Sequence, residues 1–194
     1  MTDSKQPDAK RKKPAANAQE IKALAHPLRL RILRVCGLDE LTNKQLADRL
    51  GHDPGTVLYH VRQLLAAGFL EPAEVRTGVS GALEKPYRST GRSWNLDTAL
   101  HDAGPEGPFA PLDALREELT EAGPGSLANL SRFVLHLSPQ DAEELATRVH
   151  AVLGEYTDTD RQRSDQPSYG GLFILHKTAD RSDVHGEVGP EPVR

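Results

Sequence analysis

The chain has 194 residues, 37% hydrophobic and 27% charged, with 14 prolines and few aromatics. That mixture can bury one generous domain or two small ones beside sizeable unstructured stretches. A single cysteine, Cys36, excludes an internal disulfide, and the chain shows neither an apolar leader nor a run approaching ~18 apolar residues, so secretion and membrane spanning are not expected and a cytoplasmic location is. The net charge of −4 is unevenly divided: residues 1–94 carry 16 Lys/Arg against 10 Asp/Glu, and residues 95–194 carry 8 against 18. Two readings follow from charge alone: the first half, at +6, lies on a polyanion while the second, at −10, is kept off it, or the acidic surface merely aids solubility.

Residues 1–17 lack periodicity, contain Lys10-Arg11-Lys12-Lys13, and read as a disordered basic tail. From Ala18 a helical pattern begins with Ile21, Leu24 and Ala25. A second helix opens at Pro27 and carries Leu28, Ile32, Leu33 and Val35 towards Gly37. Thr42 caps a short helix bearing Leu46, Ala47 and Leu50, stopped by Gly51. Asp53 is a natural N-cap with Pro54 at the first helical position, and the helix behind it places Val57, Val61, Leu64 and Leu65 on one stripe up to Gly68. Phe69-Leu70, Val75-Arg76, the Gly/Ser loop 77–81 and Lys85-Pro86-Tyr87-Arg88 read as a β-hairpin.

Residues 97–108 form a breaker-rich linker around Gly104-Pro105-Glu106-Gly107-Pro108. Beyond it, Leu112, Leu115 and Leu119 mark an amphipathic helix. Phe133, Leu135 and Leu137 alternate with Arg132, Val134 and His136 as in a half-buried strand. Ser138-Pro139-Gln140-Asp141 starts a helix with a stripe from Ala142 to Tyr156, and Leu172-Phe173-Ile174-Leu175 suits a buried strand. Residues 179–194 read as a disordered tail. The expected fold is mainly α with small β: a winged helix-turn-helix domain over 18–96, then a small α+β C-terminal region over 109–178.

A helix, a three-residue turn at Gly51-His52-Asp53 and a second helix form the geometry that pushes the second helix into a DNA major groove, which is ~12 Å wide and admits one helix. With Val57, Val61 and Leu64 turned inward, the outward positions are Gly55, Thr56, Tyr59, His60 and Gln63, with Arg62 on an adjacent face. Gly55 permits close backbone approach. Thr56 suits a phosphate or a thymine methyl, and Tyr59, His60 and Gln63 can donate to phosphates or bases.

Ala25-His26-Pro27-Leu28-Arg29-Leu30-Arg31-Ile32-Leu33 resembles the opening helix of ArsR-like winged-helix regulators. Leu41-Thr42-Asn43-Lys44-Gln45-Leu46-Ala47 is similar to their positioning helix. Thr56 to Leu64 followed by Ala67-Gly68-Phe69-Leu70-Glu71 is similar to their recognition helix and first wing strand. The resemblance covers about residues 18–94. It implies a homodimeric bacterial regulator of transcription, often a repressor, bound to double-stranded DNA with a recognition helix in each major groove. It adds Thr42, Lys44 and Gln45 as contacts from the positioning helix, and Arg76, Lys85 and Arg88 as contacts from the wing, with Glu84 opposing phosphate there.

The chain departs from the metal-sensing members: Lys44-Gln45-Leu46-Ala47 stands where they carry a Cys-x-Cys pair. Cys36 reads as a small core residue, the eight histidines do not cluster at ligand spacing, and no metal or other cofactor is expected. No phosphate-binding glycine loop, nucleophile elbow or His-Glu-x-x-His is present, so no enzymatic activity is expected either. The C-terminal region is expected to set the dimer and to admit a small organic effector. The competing reading is a winged-helix protein–protein interaction module, its acidic half facing a basic partner.

Overall fold

The structure is a computed structural model that describes residues 17–78, 81–92, 104 and 107–178. The basic run Lys10–Lys13, the tail 179–194, most of the expected linker and the tip of the hairpin lie outside the described residues. The chain divides into two compact units, Met1–Ala128 and Asn129–Arg194.

In the first unit, α1 (Ala18–Leu24), α2 (Pro27–Leu38), α3 (Asn43–Leu50) and α4 (Pro54–Ala66) precede four short strands, β1 (Leu70–Pro72), β2 (Arg76–Thr77), β3 (Leu83–Glu84) and β4 (Tyr87–Ser89). The strands pair antiparallel as β1–β4 and β2–β3, with Leu70 opposite Ser89 and Arg76 opposite Glu84. They form successive stretches of one hairpin, the wing. Its base is stitched to the α2–α3 connection by reciprocal backbone bonds between Leu41 and Tyr87, of 3.1 and 2.9 Å.

The expected apolar stripes converge on one core. Ile32 from α2, Leu46 from α3, and Val57, Val61 and Leu64 from α4 are fully buried, with Leu24 and Phe69 beside them. Removing each such side chain from water contributes ~1.5–3 kcal/mol. The helix starts are fixed locally. Asn17 and Glu20 form a capping box on α1, Thr42 and Gln45 form one on α3, and Pro27 and Pro54 open α2 and α4. The α1–α2 corner is closed by Arg29, whose Nε donates to the Ala23 carbonyl at 2.5 Å while a terminal nitrogen donates to the Lys22 carbonyl.

α5 (Ala110–Ala122) packs on α2, inside the first unit, by an unexpected face. Its apolar stripe does not turn inward. The small residues Ala110 and Ala114 are buried, and Glu117, Glu118 and Glu121 meet Arg31 and Arg34 of α2. Arg31 is only 3% exposed and bonds Glu117 at 2.6 Å and also Glu121. Leu112 and Leu119 are left on the outside, where with Leu115 they line an open groove of about 610 Å³.

In the second unit, Ser138 and Asp141 make the expected capping box at the start of α6 (Pro139–Asp158), and a short 3₁₀ turn follows at Asp160–Arg163. The two strands expected at 132–137 and 172–175 are not formed: residues 131–138 and 167–178 lie outside any helix or strand. A strand exists only through a neighbour's backbone, and the described residues of this unit offer none.

The Arg31 cluster yields a prediction. Replacing Glu117 and Glu121 together by Gln leaves a buried guanidinium without a carboxylate and should cost ~3 kcal/mol, whereas Arg31→Met should cost less. Denaturant unfolding of the two variants checks the order. Equal or reversed losses would show that the pair does not hold α5.

Candidate nucleic-acid interface

The α3–turn–α4 corner is built from three local devices. Gly51 ends α3 at φ 66°, a left-handed conformation that a side chain disfavours, and its N–H returns to the Ala47 carbonyl. The Asp53 carboxylate then accepts the Gly55 and Thr56 amides at 2.7 and 3.2 Å, fixing the first turn of α4. A Cβ on Gly55 would meet that carboxylate oxygen at 2.9 Å, so the glycine makes room for the cap itself. Asn43 ties the two helices by donating to the Pro54 carbonyl at 2.9 Å.

On α4, Gly55, Thr56, Tyr59, Arg62 and Gln63 are exposed, and Tyr59 stands 58% in solvent. They form one polar face opposite Val57, Val61 and Leu64. His60 does not join them. It is buried at 6% exposure with its ring centroid 4.4 Å from that of His26, the N-cap of α2, and 5.2 Å from Tyr59. The expectation that His60 faces outward therefore does not match its position. Periodicity carried the signal, since 60 is three after Val57 and four before Leu64, but the polar residue type masked it.

From α3, Thr42 is half-buried as the cap and Lys44 is exposed. Gln45 is half-buried, its Oε1 accepting the Thr42 amide at 2.8 Å. The wing arginines are exposed but engaged. Arg76 bonds Glu84 at 3.1 Å and reaches the Glu40 carbonyl at 3.2 Å and Gln45 at 3.4 Å. Arg88 bonds Glu71 at 2.7 Å and lies 3.8 Å from Glu40. The Glu71 hydrogen bond holds the Arg88 guanidinium above its ordinary range. Among the described residues, no ion pair engages Lys44, Arg62 or Lys85. Non-local carboxylates thus decide which cations are available, and only Glu84 of these was evident from the sequence.

The histidine pair has its own electrostatics. The His60 Nδ1 is buried without a hydrogen-bond partner. Burial, reinforced by His26, Arg29 and His52, pushes His60 down to about 4. Burial and Arg29 lower His26 as well, and its Nδ1 accepts the Leu28 amide at 3.2 Å. Cys36 is buried in the core, and burial pushes its thiol up to about 12. Among the described residues, no group of three or more His, Cys, Asp or Glu could hold a metal ion.

Four helices, a tight corner between the last two and a wing beside them define a winged helix-turn-helix, a fold of DNA-binding regulators. Residues 24–73, from the end of α1 through β1, match the sequence model of a helix-turn-helix domain family. No curated protein matches the chain. No helix among the described residues is long and apolar enough to cross a membrane.

Two predictions follow from this surface. The unfolded chain takes up a proton at His60 near its ordinary 6.5, and the folded protein only near 4, so stability should fall as pH drops through that window. His60→Gln should flatten the loss, seen as urea midpoints at pH 7 and 4.5 that differ less than in the parent protein; an unchanged difference contradicts it. Separately, Glu71→Gln with Glu84→Gln should remove the nearest carboxylate from each wing arginine and tighten binding to random duplex about two- to fivefold. Unchanged affinity would mean the wing stays off the backbone.

Proposed function

We propose that this protein is a sequence-specific, double-stranded-DNA-binding regulator of transcription of the ArsR-like kind, a bacterial cytoplasmic repressor acting as a homodimer and catalysing no reaction. One observation carries the reading: α4, capped by Asp53 and anchored by Val57, Val61 and Leu64 in the core, presents an exposed polar face and lies in the chain between two elements, α3 and the wing, whose exposed Lys44 and Lys85 no ion pair engages among the described residues. In this reading Thr56, Tyr59 and Gln63 meet base edges, with Gly55 at the groove floor. Lys44, Arg62 and Lys85 meet phosphates, and Arg76 and Arg88 join them when phosphate displaces their carboxylates. Thr42 and Gln45 hold the positioning helix that carries Lys44.

The outward leucines of α5 support the two-fold part. A helix that spends its ionic face on its own domain and leaves Leu112 and Leu119 in water is arranged to bury them elsewhere, and a second α5 offers the same stripe. The same leucines line an open groove, so a small organic effector seated on it would compete with the second α5.

Binding of the full chain to duplex DNA across salt concentrations tests the reading. Log affinity should fall by ~0.9 per contacted phosphate per log unit of salt, and Lys44→Ala, Arg62→Ala or Lys85→Ala should each reduce the slope by about one. Tyr59→Ala and Gln63→Ala should instead cost ~1–3 kcal/mol on the preferred sequence and little on random duplex. A weak, salt-insensitive response would favour a protein partner for this face.

A further inference from the structure

The ring of Tyr59 does not stand free on the α4 face. Side chains at successive helical positions point ~100° apart and do not ordinarily face each other. The rings of Tyr59 and His60 nevertheless meet edge to face, with centroids 5.2 Å apart and planes at 77°. The exposed phenol therefore leans back along the surface of α4 towards the buried imidazole. It also interacts electrostatically with Arg29 in the first turn of α2, favouring the charged guanidinium there. Arg29 is itself held by the carbonyls of Ala23 and Lys22.

His60 in turn rests on a ring from outside α3 and α4. The His26 ring lies 4.4 Å from it, centroid to centroid, tilted by 46°. His26 is held in place as the N-cap of α2: its Nδ1 accepts the Leu28 amide at 3.2 Å, which leaves the proton of the neutral ring on Nε2. Burial lowers both imidazoles, so at neutral pH the two rings meet uncharged. Three rings thus run in file from the start of α2 to the exposed face of α4: His26, His60 and Tyr59.

Packing alone does not account for the middle ring. His60 is 6% exposed, and among the described residues its Nδ1 has no hydrogen-bond partner. An orphaned buried nitrogen costs stability, and an aliphatic side chain would fill the space without that cost. What an aliphatic side chain lacks is a flat, polarised ring against which a tyrosine can settle edge to face. A side chain ordered before binding loses less freedom on binding, and for one such side chain the gain is about two- to tenfold in affinity.

We propose that His26 is a positioning residue for the recognition helix: through His60 its ring holds Tyr59 in the orientation that meets a base, so that sequence preference is set partly from the start of α2. The proposal rests on the base-reading role given to Tyr59 above and deepens it.

The test separates the ring of His26 from its cap. With the full chain, the parent protein first selects a preferred duplex from a random pool, and discrimination is the affinity for that duplex over the affinity for random duplex. His26→Asn keeps a capping side chain and removes the ring, whereas His26→Phe keeps a ring and removes the cap. The expected result is that His26→Asn lowers discrimination about two- to tenfold while its urea midpoint, its affinity for random duplex and the salt slope stay those of the parent. His26→Phe should lower the urea midpoint and keep discrimination within about twofold of the parent. In a Tyr59→Ala background, His26→Asn should change discrimination no further, as two residues acting through one contact do. Full discrimination in His26→Asn, its loss in both His26 variants, or an undiminished effect of His26→Asn when Tyr59 is already Ala would each overturn the proposal and leave DNA reading by α4 standing. A parent protein that selects no sequence overturns the base-reading role of Tyr59 and the proposal with it.

Discussion

The carboxylate of Asp53 fixes where α4 begins, and the surface around it inherits its geometry from that cap. By accepting two amides at once it turns the chain sharply after Gly51 and aims the first turn of α4 outward, with Gly55 kept bare so that the carboxylate fits. The core then fixes rotation. Val57, Val61 and Leu64 are fully buried, so the rotation that keeps them inward turns Thr56, Tyr59 and Gln63 to water. A cap sets the start and a stripe sets the phase; together they place a polar face without any contact from the face itself.

The wing depends on the same corner by a different route. The Leu41–Tyr87 bonds fasten it beside the start of α3, and Arg76 reaches from the hairpin to Gln45, the residue that completes the α3 capping box. The two β-pairs and their arginines are therefore registered against the helices, not hung from a free loop. Carboxylates at Glu40, Glu71 and Glu84 hold those arginines in the free protein. In the proposed function a phosphate would take the place of a carboxylate on the guanidinium, so these pairs would set an electrostatic threshold that non-specific contact must overcome.

Much of the first unit was legible because its signals are local. Thr42, Gly51, Asp53 with Pro54, and Ser138 with Asp141 each act within four residues of where they stand, and each does what its type and spacing imply. The errors lie where the deciding partner is distant or absent. Arg31 meets glutamates 86 and 90 residues away, and that pairing inverted α5, whose leucines would by pattern alone have faced inward. His60 sits on the inward stripe but looked like a contact residue because histidine is more often polar surface than core. The strands expected at 132–137 and 172–175 have the alternating side chains of strands, but among the described residues no backbone pairs with them, and a residue pattern alone does not name a pairing partner. The exposed polar residues of α4 were readable as a face; the pairing of the wing arginines was not, since it is set by carboxylates across the sheet and at Glu40.

The central claim is that the exposed face of α4 is the surface that enters DNA. Amide chemical-shift mapping of the full chain, titrated with a duplex at fixed salt, addresses it residue by residue. The account predicts that the largest perturbations fall on Gly55, Thr56, Tyr59 and Gln63, extend to Lys44 and Lys85, and are small along α5 and α6. Perturbations concentrated on α5 or within 129–178, with α4 unmoved, would contradict it.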